Sequence, residues 1–263
     1  MKNINGFQKL QNEGSKISMV TCYDYWSAKI IDNSDIDAVL VGDSVAMVMH
    51  GFDTTINATV QMMVTHTSAV RRGLKNKFLI SDLPFLAHKK GRRKLVDSVD
   101  EIFKAGAEAI KIEGAKGILD DINYLVSSGI PVMGHLGLTP QSVHKFGGFN
   151  VQGHSEKESE ILIDDAKKLE NSGIFALVLE MLPSDISRRI TESISIPTIG
   201  IGAGKHTSGQ ILVLQDLLGL SKDFNPKFLK KYFDGYSNLE DSLNKYNKEV
   251  KNNIFPSEKE SYT

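Results

Sequence analysis

The sequence predicts an α/β protein built as a single (β/α)₈ barrel. Three observations point there. Eight short apolar runs recur along the chain; amphipathic segments with helical spacing separate most of them; and 263 residues is close to the roughly 250 typical of such a barrel.

The runs are Ile17 to Thr21, Asp37 to Val41, Phe78 to Ser81, Ala109 to Ile112, Pro131 to Gly134, Phe175 to Leu179, Pro197 to Ile201 and Ile211 to Leu214. Each is short and most are rich in Val, Ile or Leu, as strands buried on both faces of a parallel sheet should be. The last is the weakest, because QILVLQDLLGL can also open a helix. Between the runs, Thr59 can cap a helix whose apolar positions are Val60, Met63, Val64 and Val70. Leu95, Val99, Ile102 and Phe103 form a second stripe; Ile118, Ile122, Leu125 and Val126 a third; Ile161, Leu162, Ala166 and Leu169 a fourth. Ser184 can cap a fifth, carrying Ile186 and Ile190. Gly73, Gly106, Gly129 and Gly173 stand where helix-stopping glycines belong, just before the next strand. The alternation assigns residues 1–263 to one barrel domain with a polar C-terminal tail from about 224. That tail has one helix around Leu239 to Val250, and it either wraps the barrel or contacts another subunit.

Composition narrows the function. Thirty-one Lys and Arg against 32 Asp and Glu give a net charge of −1, so no overall field draws in nucleic acid or a membrane surface. No run approaches the ~18 apolar residues of a membrane span. The N-terminus lacks the apolar stretch of a secretory signal. The single Cys22 can form neither an intrachain disulfide nor a Cys-rich zinc site. A soluble, reduced, cytoplasmic protein is expected; these counts do not describe an activity.

Barrel enzymes carry their chemistry at the C-terminal ends of the strands. There the chain places Tyr23 and Asp24, Asp43 and Ser44, Asp82, Lys111 and Glu113, His135, Glu180 and the glycines of IGIGAG. Three carboxylates, Asp43, Asp82 and Glu113, end three consecutive strands. Oxygen ligands of this kind suit Mg²⁺, which takes one or two direct carboxylates and leaves positions for a substrate such as a 2-oxo acid. For any one of these acids, capping the next helix is an equally good reading; for all three together the metal is favoured. Lys111 and Glu113, two residues apart, share one strand face. Lys111 is then an enolate-stabilising cation, a Schiff-base lysine, or simply the ion-pair partner of Glu113. Glu180 closes an apolar strand, where desolvation would raise its pKa toward that of a useful base, although an acid before Pro183 can also cap a helix. His135 can bond substrate or metal-bound water, or be structural. IGIGAG has G-x-G-x-G spacing, unlike the dinucleotide fingerprint, and serves close ligand approach or a tight turn. The basic run His88 to Lys94 reads as a solvated helix start, with attraction of an anionic cofactor tail as the weaker alternative. The stretch GGFNVQG reads as a functional loop.

Eleven segments in order resemble ketopantoate hydroxymethyltransferases: TCYDYWSA, LVGDS, HGFDTT, HTSAVRRG, SDLPF, IKIEG, GHLGLTPQSV, FGGFNVQG, LVLE, IPTIGIGAG and GQILVLQD. The resemblance covers essentially the whole chain, including the tail. It implies a barrel of the phosphoenolpyruvate/pyruvate type, Mg²⁺ dependence, 5,10-methylenetetrahydrofolate as one-carbon donor, and a homo-oligomer, a decamer in similar enzymes. It assigns metal-site roles to Asp43, Asp82 and, through water, Glu113. Substrate contacts fall on Asp43, Ser44, Asp82 and Lys111, and the proton acceptor on Glu180. Ala46, where the family usually has Gly, Phe52, where a His is common, and the basic run depart from the pattern. Two other functions stay open: a Mg²⁺-dependent carbon–carbon lyase of the isocitrate lyase or phosphoenolpyruvate mutase type, and a non-catalytic barrel that senses an oxo acid.

Overall fold

The structure is a computed structural model that describes residues 1–142, 148, 151–153 and 155–262. It contains two compact units, Met1–Leu212 and Val213–Thr263.

In the first unit eight parallel strands close on themselves in sequence order. They are β1 (Ile17–Thr21), β2 (Ala38–Val41), β3 (Phe78–Asp82), β4 (Ala109–Glu113), β5 (Val132–Gly137), β6 (Ala176–Glu180), β7 (Thr198–Ile201) and β8 (Gly209–Leu212). Closure joins β1 to β8, with Ile17 opposite Gly209. The expected (β/α)₈ barrel is therefore the observed fold. Among the described residues the helices along the first unit are α1 (Asn5–Asn12), α2 (Tyr25–Asp32), α3 (Val45–Val48), α4 (Val60–Gly73), α5 (Arg92–Lys104), α6 (Leu119–Ser127), α7 (Glu156–Asn171) and α8 (Ser184–Ser193). The Thr59 side chain accepts from Met62 N–H and starts α4, and a Ser155–Glu158 capping box starts α7.

Four local expectations change. Ser184 is the first helical residue of α8 and makes no cap bond; Pro183 precedes it, its fixed φ suited to a helix start. Gly106, Gly129 and Gly173 do follow their helices with positive φ, but Gly73 is itself the last residue of α4 and has no positive φ. What Gly73 provides is clearance: a Cβ there would stand 2.6 Å from both Ala28 Cβ and Tyr25 O of α2. The final run divides, its start pairing as β8 and Leu214 opening a new helix. His135 lies within β5, where the apolar run had been expected to end at Gly134; buried polar partners offset its cost in the barrel.

The barrel interior follows the two-residue period of each strand. Ile17 and Met19, Ala38 and Leu40, Phe78 and Ile80, with Ala109, Met133, Ala176, Val178, Ile199 and Ile211, form one buried core. Phe7 of α1 packs edge-on against Phe78 and Phe175, with ring centroids at 6.1 and 5.2 Å. It is fully buried and plugs the end of the barrel where the strands begin. The same period carries the inward face past this apolar packing to Asp82 on β3, Lys111 and Glu113 on β4, His135 on β5 and Glu180 on β6.

The second unit holds α9 (Leu214–Leu217) and α10 (Gly235–Lys251), the latter spanning the helix expected around Leu239 to Val250. Asp234 accepts from Ser237 N–H at its start. Leu239, Leu243, Tyr246 and Val250 lie exposed along it. Among the described residues no helix is long and apolar enough to cross a membrane.

Candidate active site

At the C-terminal end of the barrel, strand register brings the polar inward residues together. Asp82 is opposite Lys111, and Glu113 is opposite His135. Lys111 Nζ lies 3.1 Å from Asp82 Oδ1, 3.0 Å from His135 Nδ1 and 4.0 Å from Glu113 Oε1. Lys111 thus pairs with the neighbouring strand more closely than with Glu113 on its own. His135 Nε2 is 3.2 Å from Glu180 Oε2, and its Nδ1 is 3.5 Å from Glu113 Oε1. The Asp43 N–H donates to Asp82 Oδ2 at 2.9 Å. Tyr23 and Ser44 share a 2.8 Å hydroxyl–hydroxyl bond. Asp43, Asp82, Lys111, Glu113, His135 and Glu180 are joined by these contacts; the IGIGAG glycines make none of them, Gly200 lying within β7 and Gly204 O accepting from the Gln210 side chain. Asp24 instead caps α2, accepting from Ser27 N–H at 2.9 Å.

Gln141, which the sequence reading had not singled out, locks the cluster from above. Its side-chain amide donates to Asp43 Oδ2 at 2.8 Å and to Leu83 O at 2.9 Å, while its backbone N–H reaches Glu113 Oε2 at 3.2 Å. The only available signal was a polar residue just beyond β5, in GHLGLTPQSV. Part of the loop stretch GGFNVQG lies outside the described residues; of it Gly148 and Val151–Gly153 are described. The basic run behaves as a helix start: α5 opens at Arg92, which pairs with Asp121 at 3.0 Å and stacks on Tyr124. Phe52 stacks on His50, whose Nε2 meets His66 Nε2 at 2.9 Å, so imidazoles persist around that departure.

Gly137 shapes the floor beside Glu180. Its φ is +95°, and a Cβ would stand 2.1 Å from Glu180 O. Only glycine allows β5 to pass this close to the last residue of β6.

Burial sets the electrostatics. It raises the Glu180 carboxyl to a pKa of about 7, against a smaller lowering by Lys111. Burial, then Asp82, pushes Asp43 to about 7, and burial with Asp43 holds Glu113 well above the ordinary carboxylate range. Burial alone would lower Lys111, but Asp82, Glu113 and Asp43 outweigh it and keep the ammonium charged. Burial and Lys111 hold His135 well below its usual value, so the imidazole is neutral.

Several carboxyl groups thus crowd one lysine. Glu113 Oε1 accepts no hydrogen bond among the described residues. Among those residues no three His, Cys, Asp or Glu side chains converge as a metal cluster. Asp43 and Asp82, linked by the Asp43 N–H, are the carboxylates available to hold a hard divalent ion, which commonly takes one or two of them.

The sequence profile described as "Ketopantoate hydroxymethyltransferase" matches residues 1–258. The chain belongs to the ketopantoate hydroxymethyltransferase family. A 3-methyl-2-oxobutanoate hydroxymethyltransferase of Bdellovibrio bacteriovorus is 51% identical over 263 residues, all of both chains. One of the same name from Legionella pneumophila (strain Lens) is 52% identical over 260 residues, covering 98% of this chain and 99% of its own. Family membership makes the protein an enzyme, a hydroxymethyltransferase. Its fold is also similar to that of 2,3-dimethylmalate lyase, a PEP mutase/isocitrate lyase superfamily member. The TM-score is 0.64 at 15% identity, over 100% of this chain and 92% of that one. A phosphonopyruvate hydrolase solved with oxalate and Mg²⁺ also gives 0.64, at 10% identity over 99% and 93%. These likenesses show the same barrel fold.

Proposed function

We propose that the protein transfers a hydroxymethyl group from 5,10-methylenetetrahydrofolate to 3-methyl-2-oxobutanoate, giving 2-dehydropantoate for pantothenate synthesis, and that Mg²⁺ assists. The observation that carries this reading is the pairing of a base with an enolate-stabilising cation in one buried cluster: Glu180, poised to titrate near 7, and Lys111, held charged.

Asp43 and Asp82 would hold the ion, with Glu113 acting through water. When bound, the ion supplies Lewis acidity that draws charge onto the keto oxygen of the chelated oxo acid. Ser44, Asp43, Asp82 and Lys111 orient the substrate. Glu180 takes the C3 proton, and the Lys111 ammonium lies where negative charge develops on the keto oxygen. The enolate carbon then bonds to the donor's methylene carbon. Breaking the methylene–nitrogen bonds consumes one water and releases tetrahydrofolate.

The lyase alternative needs an acidic group such as a cysteine on a mobile loop. Cys22 is instead buried at the end of β1, bonded to Ser27 Oγ at 3.2 Å, with burial raising its pKa. The sensor alternative has no use for a base of this pKa. Work in the cytoplasm on small molecules, as a homo-oligomer, completes the proposal.

Proton NMR of 3-methyl-2-oxobutanoate in D₂O tests it. Loss of the C3 signal that EDTA stops, with product only when methylenetetrahydrofolate is present, is the expected result. Glu180→Gln should slow exchange about 10²- to 10⁴-fold while oxo-acid binding persists. Exchange at the wild-type rate in that variant would remove Glu180 as the base. Neither exchange nor product from the wild-type protein would leave the sensor reading.

A further inference from the structure

A cavity of about 460 Å³ opens beside the catalytic cluster, between the loops after β3, β4 and β5 and the start of α7. Glu113 and Gln141 line it, so it shares a wall with the buried cluster. Its other sides combine apolar surface (Phe85, Leu136, Leu162) with charge from Lys89, Lys116, Glu158 and Asp165. This is the make-up of a small-molecule site: apolar walls with a few polar groups that fix orientation.

Two details mark it as built for a ligand. His88 is 8% exposed, lines the cavity, and its Nδ1 has no hydrogen-bond partner among the described residues. A buried polar atom left unpaired is costly, and a ligand group would pair it. The same wall carries Leu86 in the left-handed region, φ +59°, with a side chain 42% exposed. A strained leucine turned toward open space is retained where function requires it. The Lys89 ammonium, donating to Lys116 O and Gly117 O at 3.0 and 2.9 Å, ties this wall to the loop after β4.

We infer that this cavity seats the one-carbon donor, with Asp165 and His88 reading the polar edge of the reduced pterin ring and Lys89 and Lys116 drawing its glutamate carboxylates. The inference rests on the folate donor proposed above. A pterin presents a flat face to the apolar walls and ring N–H and amino donors that a carboxylate such as Asp165 accepts. The donor's methylene must reach C3 of the oxo acid, and this cavity adjoins that substrate's position through Glu113. The basic run thereby gains a role at its first members, His88 and Lys89, while Arg92 onward serves α5.

The test separates the two substrates. C3 proton exchange in D₂O with Mg²⁺ needs only the oxo acid, so it reports an intact cluster. Asp165→Asn and Ile161→Trp, which narrows the cavity from α7, should keep exchange near the wild-type rate. Both should raise the KM for methylenetetrahydrofolate and weaken tetrahydrofolate binding, measured by calorimetry, about tenfold or more. Wild-type folate parameters in both variants would overturn the assignment. If one variant also loses exchange, the other decides; if both do, NOEs in the wild-type protein between tetrahydrofolate ring protons and the Leu162 methyls decide, their presence supporting the site and their absence rejecting it. A wild-type protein that exchanges C3 but makes no product with folate would instead refute the donor itself.

Discussion

His135 Nε2 stands 3.2 Å from Glu180 Oε2, on the far side of the ring from Lys111. A lysine ammonium can only donate, so Nδ1 accepts from Lys111 and the ring proton resides on Nε2, aimed at the carboxylate side. No aligned hydrogen bond joins Nε2 to Glu180. Contacts of this kind tighten when substrate is bound. One neutral imidazole thereby couples the cation to the base and fixes its own tautomer.

Replacing that ring separates positioning from packing. His135→Phe should lower kcat about 10- to 100-fold, as losses of orienting partners do, with little change in the KM for the oxo acid. His135→Gln, which keeps an N–H donor, should recover part of the loss. Equal activity in the Phe variant would show that Glu180 is held by other contacts.

The pH dependence follows from burial of Glu180. Its carboxyl titrates at about 7 and must be ionised to accept a proton. The C3 exchange rate should therefore fall about tenfold per pH unit below that value and level off above it. A rate that stays flat down to pH 5 would contradict the assignment of the base.

Stability should respond to a different group. Burial, reinforced by Lys89, lowers the His88 pKa to about 4 from an ordinary 6.5. The unfolded chain takes up this proton first as acid is added. Stability held above pH 6.5 is then lost progressively as pH falls toward 4, by about 3 kcal/mol. Urea midpoints across that range should show this slope, and His88→Gln should flatten it.

At the other end of the barrel, Phe7→Ala should cost about 3–5 kcal/mol, the usual penalty for emptying a fully buried aromatic site. Denaturant unfolding measures it. Exchange activity of the folded fraction should be unchanged, because the cluster lies at the opposite end of the strands.

The barrel and its site were legible in the sequence to different depths. Strand runs ending in Asp82, Glu113 and Glu180 place each acid by period alone, and the two-residue spacing of Lys111 and Glu113 puts both inside. The closer pairing of Lys111 with Asp82 depends on strand register, which no local pattern encodes. Gln141 escaped for the same reason: its partners, Asp43 and Leu83, are distant in sequence. The α1 plug escaped because a short polar helix with one buried phenylalanine carries almost no periodic signal. Ser184 misled because a good capping residue sat one position inside the helix, after a proline that could start it.

The pairing of Ile17 with Gly209 has a consequence for how the protein is made. The first strand must wait for a partner about 190 positions further along, and such distant contacts are slow to form. Until the ribosome has delivered β8, the edge of β1 remains open. The segments supplying Asp43 to Glu180 emerge earlier and can pair with one another in order of synthesis. The nascent chain thus carries every proposed catalytic group before it can seal, and a pause after β6 would expose an unclosed sheet to chaperones and to neighbouring chains.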